Sequence, residues 1–126
     1  TIASVLVQDP ELIILDEPTA GQDFRHYTEI MEFLRGLNEK GVTVVMITHD
    51  MHLMLEYTPR ALVFADGRLI ADRSAAAALC DPQLIRQAAL KETSLFTLAN
   101  QLGISPAEEF VQRFIEEDRE VRSHGC

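Results

Sequence analysis

The chain is predicted to be an α/β protein with part of a parallel sheet, followed by a small helical extension. A short apolar run at residues 12–15 is followed by an amphipathic stretch and a second apolar run at 42–47, which is rich in β-branched side chains. The order strand, helix, strand indicates a βαβ unit with parallel strands and a right-handed crossover. After residue 81 no β-branched run recurs, so the remainder is expected to be helical.

Within the βαβ unit the helix is predicted over residues 24–38, because apolar side chains recur there at steps of three and four. Asp23 lies at the N-cap position, and Gly41 follows where a helix is expected to stop. Both strands are nearly all apolar, and we expect both to be buried.

Residues 51–57 are predicted to form a short helix that ends before Pro59. Strands at 61–64 and 68–71 are predicted to pair around the turn Asp66-Gly67. Further helices are predicted with their N-caps as follows: 75–79 after Ser74, 82–90 after Asp81, 94–102 after Thr93 and 106–119 after Ser105.

Composition bounds the function. The 126 residues are 47% apolar and 25% charged, which is enough apolar content for a packed core. A net charge of −9 argues against a general nucleic-acid-binding protein, which needs a basic face. Cys80 and Cys126 suggest neither a disulfide framework nor a zinc site, so we expect a reducing, cytosolic compartment.

The chain opens with Thr1-Ile2-Ala3-Ser4, without Met and without the basic region of a signal peptide. This start lies inside an apolar segment, and a complete protein rarely begins in the middle of an element. We therefore expect the chain to be a piece of a longer protein.

The chemistry is predicted where the two strands end. Asp16 and Glu17 follow the first strand and His49 follows the second. Because parallel strands end at one edge of a sheet, these side chains should face the same crevice. Asp16 could hold Mg²⁺, Glu17 could orient or deprotonate a water molecule, and His49 could contact a phosphate oxygen.

Each feature alone has a plainer explanation. Asp-Glu-Pro after a strand is often only a polar loop exit, and a single His after a strand is often structural or exposed. The conjunction of both, on either side of one helix, is what favours a phosphate-transfer site.

The residues at this edge resemble a known family. Leu-Ile-Ile-Leu-Asp-Glu-Pro-Thr-Ala-Gly-Gln-Asp, at 12–23, resembles the Walker B motif and D-loop of ATP-binding-cassette (ABC) ATPases. Val-Val-Met-Ile-Thr-His-Asp, at 44–50, resembles their H-loop, and 61–72 resembles the strand pair that follows it. The resemblance runs from residue 1 to about 79 and implies a P-loop NTPase-like sheet, with 1–8 ending the helix after the signature motif.

The resemblance implies a role for each matching residue. Asp16 would bind Mg²⁺, usually through water, and Glu17 would be the catalytic carboxylate that polarises the attacking water. His49 would contact the γ-phosphate of ATP and couple it to Glu17. Asp23 would be the D-loop residue that communicates with the nucleotide site across a dimer.

Motifs that the family carries upstream are not found in this sequence: the G-x-x-x-x-G-K-[ST] loop, the Q-loop and the signature motif. The resemblance therefore implies that residues 1–80 correspond to the C-terminal half of a nucleotide-binding domain and 81–126 to a helical extension. ATP and Mg²⁺ would be bound only together with the missing half, and the chain alone is expected to be inactive.

The Gly21-Gln22-Asp23 variant and the helical extension are similar to ATPases of energy-coupling-factor importers, which take up vitamins or metal ions such as cobalt and nickel. That similarity implies two partners, a second ATPase domain and a membrane coupling or permease subunit, and no nucleic acid. It also implies a peripheral position on the cytoplasmic face of the cell membrane.

Two other functions stay open at this point. A soluble cassette ATPase acting on DNA or ribosomes would share these motifs, although neither a heptad run nor a basic patch is present. A non-catalytic C-terminal interaction or dimerisation module is the other alternative. It would use apolar residues of the extension that could equally be core: Phe96, Leu98, Leu102, Phe110 and Phe114.

Overall fold

The computed structural model describes residues 9–124, with side chains described to residue 121. The helix end expected at 1–8 lies outside the described residues. The chain divides into two compact units, Thr1–His49 and Asp50–Cys126. The domain boundary expected after residue 80 stays a prediction.

The described elements, in chain order, fall into these two units. The first unit contains β1 (Leu12–Asp16), α1 (Phe24–Glu39) and β2 (Thr43–Ile47). The second contains α2 (Met51–Tyr57), β3 (Ala61–Ala65), β4 (Arg68–Arg73), α3 (Ala75–Leu79), α4 (Pro82–Gln87), α5 (Ser94–Gln101) and α6 (Ala107–His124). No helix within this described part is long and apolar enough to cross a membrane.

The βαβ unit is confirmed. β1 and β2 pair in parallel, in a register that runs from Leu12 opposite Thr43 to Asp16 opposite Ile47. At the start of α1 the Asp23 carboxylate accepts a hydrogen bond from the His26 backbone N–H at 2.9 Å, as its N-cap position predicts. α1 packs against β2. The backbone N–H groups of the residues just after α1 donate to carbonyls of its last turn.

The prediction that both strands are buried is wrong. Ile13 is buried, whereas Leu12, Ile14, Val45 and Ile47 are between 42% and 64% exposed. These four side chains share one face of the two strands, because successive strand residues point to opposite faces. A parallel sheet is normally covered on both faces, and in the described residues this face is left open.

In the second unit, β3 and β4 form an antiparallel pair. Asp66 and Gly67 have φ values of +49° and +71°, so the turn has positive φ at both central positions, as in the hairpin turn predicted for Asp-Gly. The buried core of this unit joins residues of the hairpin, α3 and α4, and four of its six members are alanines: Ala61, Val63, Ala71, Ala75, Ala78 and Leu84.

Two predicted helix ends are wrong. α4 ends at Gln87 instead of residue 90, because the chain closes there in a Schellman motif. Ala89 N–H donates to the Arg86 carbonyl at 3.4 Å, Leu90 N–H donates to that of Ile85 at 2.9 Å, and Ala89 takes a φ of +51°. This motif satisfies the last helical carbonyls without another turn of helix.

The last helix also differs from its prediction. α6 begins at Ala107, one residue later than expected, and continues to His124 instead of stopping at residue 119. The acidic run at 116–120 is therefore helical, since Glu and Arg are good helix formers and most of this run faces solvent. On α5, Phe96 is buried but Leu98 and Leu102 are 40% and 63% exposed, and on α6 Phe114 is 46% exposed.

Replacing Ala89 with Gly should stabilise the chain. The left-handed conformation strains an L-residue, while Gly adopts it freely but loses more chain entropy on folding, so we expect a net gain of about 0.5–1 kcal/mol. Gly103 occupies the matching position after α5, with φ +65° and open space around a Cβ. Gly103→Ala should therefore destabilise the chain by a similar amount. Urea unfolding of both variants measures this, and a less stable Ala89→Gly variant would contradict the interpretation.

Candidate functional site

The site is built where β1 and β2 end. The parallel register places Asp16 opposite Ile47, so the residues that follow each strand leave the sheet at the same edge. The Glu17 backbone N–H donates to the Ile47 carbonyl at 2.9 Å and extends the ladder by one bond. This bond holds Glu17 beside the exit of β2.

Both carboxylate oxygens of Glu17 are held by the residues that follow β2. The His49 ring Nδ1 lies 2.5 Å from Glu17 Oε1, and the His49 backbone N–H donates to the same oxygen at 3.0 Å. The Thr48 hydroxyl donates to Glu17 Oε2 at 3.4 Å. The Glu17 side chain is 30% exposed and that of His49 is 88% exposed, so the carboxylate is sheltered and the imidazole faces outward.

This contact orients the imidazole. When the carboxylate is ionised, Nδ1–H donates to it, which leaves Nε2 as the ring nitrogen that can reach a ligand. A carboxylate with fixed oxygens next to an outward imidazole can orient a water molecule and contact an anionic oxygen at the same time. Hydrolysis of a phosphate ester or anhydride uses both functions.

Glu17 also has an unusual backbone. Its φ is +44°, in the left-handed region that costs a non-glycine residue about 1–3 kcal/mol and that is enriched at functional sites. The turn that follows is closed by a bond from the Ala20 N–H to the Glu17 carbonyl at 3.1 Å. The left-handed conformation of Glu17 ends β1, and in this conformation the Glu17 carboxylate is hydrogen-bonded by the residues that follow β2.

Asp16 is the exposed last residue of β1 and immediately precedes Glu17. Within the described side chains no group of three or more His, Cys, Asp or Glu could hold a metal ion. A single carboxylate still fits Mg²⁺, because that ion keeps several waters and takes its remaining ligands from substrate phosphates. Asp16 as the Mg²⁺-binding residue therefore stays a prediction.

Asp23 belongs to a different cluster, at the start of α1. Its carboxylate accepts from the His26 backbone N–H, and the His26 ring Nδ1 lies 3.0 and 3.1 Å from its two oxygens. The His26 backbone and ring hydrogen bonds lower the pKa of Asp23 below its ordinary value. The hydrogen bond and charge of Asp23 in turn raise the pKa of His26. The structure accounts for Asp23 as a helix cap, and its D-loop role stays a prediction.

Sequence reasoning missed two residues in these clusters. Thr48 holds the second oxygen of Glu17, and the only signal for it was a hydroxyl residue between an apolar strand and His49. His26 pairs with Asp23, although the sequence suggested only a surface or packing role for it. Its position three residues after an Asp cap is where a capping-box partner lies, and this spacing could have identified it.

The fold defines the class of protein. A solved structure, cbiO1 from Clostridium perfringens, described as part of the ABC transporter complex cbiONQ, matches with a TM-score of 0.58 and 33% sequence identity. The match covers 79% of this chain and 40% of that chain. The chain thus has the mixed α/β fold of an ABC ATPase.

Sequence comparison leads to the same class. Proteins named ABC transporter ATP-binding protein match with 65% identity over 122 residues in Enterococcus faecalis and 58% over 123 residues in Clostridium perfringens. A Staphylococcus aureus protein of that name matches with 55% identity over 122 residues. These matches cover 97–98% of this chain and 21–22% of the relatives, so the chain spans about a fifth of their length.

No protein-family model matches the chain. The resemblance to the C-terminal half of an ABC-type ATPase domain, predicted from the Walker B-like and H-loop-like residues, is nevertheless confirmed by these relatives and by the solved structure.

The pairing of Asp23 with His26 should make the stability of the chain depend on pH. The pKa of His26 lies above its ordinary 6.5. The contribution of protonated His26 to the free energy of unfolding is therefore complete below pH 6.5 and is lost as the pH rises through the raised pKa. The pKa of Asp23 lies below 3.8, so its contribution is present above pH 3.8 and is lost as the pH falls through the lowered value. NMR titration of the His26 ring should show a midpoint above 6.5 that falls in Asp23→Asn. An unchanged midpoint would contradict the pairing.

Proposed function

We propose that the longer protein containing this chain binds and hydrolyses ATP to power a membrane importer of the energy-coupling-factor type, for a vitamin or a metal ion. The observation that carries the proposal is the clamp on Glu17, whose two oxygens are held by Thr48 and His49 at the edge where the parallel strands end. Hydrolysis of a phosphate anhydride would use both groups at this edge: the sheltered, oriented carboxylate for the attacking water and the exposed imidazole for a phosphate oxygen.

In the proposed reaction, Glu17 accepts a hydrogen bond from the attacking water and takes its proton as the oxygen bonds to the γ-phosphorus. The bond from that phosphorus to the β–γ bridging oxygen breaks, and the products are ADP and inorganic phosphate. In its protonated form, His49 donates from Nε2–H to a γ-phosphate oxygen while its Nδ1–H donates to Glu17. Asp16 would hold Mg²⁺, which neutralises phosphate charge when it is bound.

A second ATPase domain is the first proposed partner. This chain covers 40% of the solved ATPase but only 22% of the Enterococcus faecalis relative, so that relative is long enough for about two domains of this size. We infer that the second domain is carried by the same polypeptide. In the family, ATP closes two such domains against each other, and Asp23 would contribute to the site across that interface.

A membrane subunit is the second proposed partner. The solved neighbour is described as part of an ABC transporter complex, and the curated relatives carry the name of transporter ATP-binding proteins. These names support a peripheral position on the cytoplasmic face of the membrane, in contact with a coupling or permease subunit.

One observation favours the alternative of a C-terminal interaction module. Leu98, Leu102 and Phe114 are exposed on α5 and α6, and a contiguous apolar patch made of such side chains would be a contact surface for another protein. Self-association of the isolated chain, measured by sedimentation with and without ATP, would favour that function if it occurs without nucleotide dependence.

The decisive experiment is ATP hydrolysis by the full-length protein with Glu17→Gln. The amide cannot take the proton of water, so we expect kcat to fall by about 100-fold or more while Mg-ATP binding is retained. Glu11→Gln is the matched control, because Glu11 is exposed just before the other end of β1 and should leave turnover unchanged. Undiminished turnover in Glu17→Gln would refute the proposed function.

The isolated chain should bind Mg-ATP weakly and should not hydrolyse it. Its sequence has no G-x-x-x-x-G-K-[ST] loop, whose backbone N–H groups and lysine cradle the phosphates. Calorimetric titration of the 126-residue chain with Mg-ATP tests this expectation. Tight, stoichiometric binding would overturn it.

A further inference from the structure

The two carboxylate oxygens of Glu17 are held unequally. Oε1 accepts from the His49 backbone N–H at 3.0 Å and lies 2.5 Å from the His49 ring Nδ1, which donates to it. Oε2 accepts from the Thr48 hydroxyl at 3.4 Å, the longest of the three bonds. Within the described residues this is the only hydrogen bond to Oε2.

This difference decides which oxygen of Glu17 can receive a proton. Each oxygen of an ionised carboxylate offers two lone pairs. The two donors from His49 occupy both lone pairs of Oε1, whereas the Thr48 hydroxyl occupies one lone pair of Oε2. The Glu17 side chain is 30% exposed, so water can reach the carboxylate, and a general base needs a lone pair that is open to the proton it accepts.

Holding one oxygen does not fix the plane of the carboxylate. Rotation about the last side-chain bond of a glutamate is broad and roughly two-fold, so a carboxylate anchored only through Oε1 can still tilt and move Oε2. The Thr48 hydroxyl gives the group a second fixed point. With both oxygens held, the open lone pair of Oε2 keeps one direction.

The strand register brings Thr48 beside Glu17. Asp16 lies opposite Ile47, so Glu17 and Thr48 are the residues that follow the last pair of the ladder. The Glu17 backbone N–H donates to the Ile47 carbonyl at 2.9 Å and holds the two chains together at this point. Thr48 is half-buried, and its branched Cβ restricts rotation about χ1, which limits the directions its hydroxyl can take. All of these groups lie within the unit Thr1–His49.

We propose that Thr48 is a positioning residue for ATP hydrolysis, which directs Oε2 of Glu17 to take the proton of the attacking water. This inference rests on the proposed function and deepens it, because it assigns the proton to one atom and gives Thr48 a part in the reaction.

The proton transfer then has a defined course. As the O–H bond of water breaks, its electron pair goes to the oxygen that bonds to the γ-phosphorus, and the proton occupies the open lone pair of Oε2. The bond from that phosphorus to the bridging oxygen breaks, and its electron pair leaves with ADP. The Thr48 hydroxyl stays on the other lone pair of Oε2, and His49 stays on Oε1.

The hydroxyl of Thr48 can be removed with little change of shape. Thr48→Val replaces the hydroxyl with a methyl group and keeps the branched Cβ, whereas Thr48→Ser keeps the hydroxyl and loses the methyl group. Thr43 provides a matched control, because it is an exposed threonine at the other end of β2, opposite Leu12. Thr43→Val therefore makes the same chemical change on the same strand, away from the site.

The test measures steady-state ATP hydrolysis by the full-length protein with each of these substitutions. We expect kcat to fall by about tenfold in Thr48→Val, with KM for ATP within about twofold of the unchanged protein, because the loss affects orientation and not binding. Thr48→Ser should keep kcat within about threefold of the unchanged protein, and Thr43→Val should match it. If circular dichroism shows that Thr48→Val does not fold, Thr48→Ala, which also lacks the hydroxyl, takes its place.

A double substitution tests whether Thr48 acts through Glu17. When two residues act as a unit, the effect of losing one disappears once the other is lost. Thr48→Val should therefore change kcat by less than about twofold in a protein that already carries Glu17→Gln. A further tenfold loss in the double variant would show that Thr48 acts apart from Glu17 and would overturn the inference.

The inference and the proposed function fail differently. Full turnover in Glu17→Gln would refute the ATPase function itself, whatever Thr48 does. Loss of turnover in Glu17→Gln with unchanged kcat in Thr48→Val would leave that function standing and refute the role of Thr48. Equal losses in Thr48→Val and Thr48→Ser would also refute it, because the hydroxyl would not be the group that matters. A rise in KM at constant kcat would do the same, because it would show an effect on binding.

Discussion

The parallel pairing of β1 and β2 is the constraint on which the candidate site depends. Asp16 lies opposite Ile47, and the backbone N–H of Glu17 donates to the carbonyl of Ile47. Because side chains alternate along a strand, a slip of one residue would turn Asp16 to the other face and carry Glu17 away from His49. The distance between Nδ1 and the carboxylate is thus a consequence of strand register.

The conformation of Glu17 shows how stability and function are balanced at this edge. A left-handed φ is unfavourable for glutamate, yet both oxygens of its side chain are satisfied by the residues that follow β2. The backbone strain at Glu17 thus lies at the residue whose carboxylate is held in a fixed orientation. At Asp23, by contrast, the carboxylate caps a helix and has a relaxed extended backbone.

The helix ends show which details of the fold are local. Asp23, Asp50, Ser74, Asp81 and Thr93 each cap the helix that follows, and each is a residue type that accepts from backbone N–H groups. The end of α4 was mispredicted because Ala, a good helix former, occupies a left-handed position there. Local propensity favoured another turn of helix, and the pairing of the last carbonyls decided otherwise.

The sequence by itself determined the order of the elements, most helix caps, the parallel pair and the residues that meet at its edge. These features depend on spacing along the chain and on the fixed geometry of helices and strands. Only the tertiary structure revealed the open face of the β1–β2 pair, the hold of Thr48 on Glu17 and the contact of Arg119 with Tyr57. The last two contacts join residues 31 and 62 positions apart, and no local pattern marks such partners because they meet only when separate elements pack.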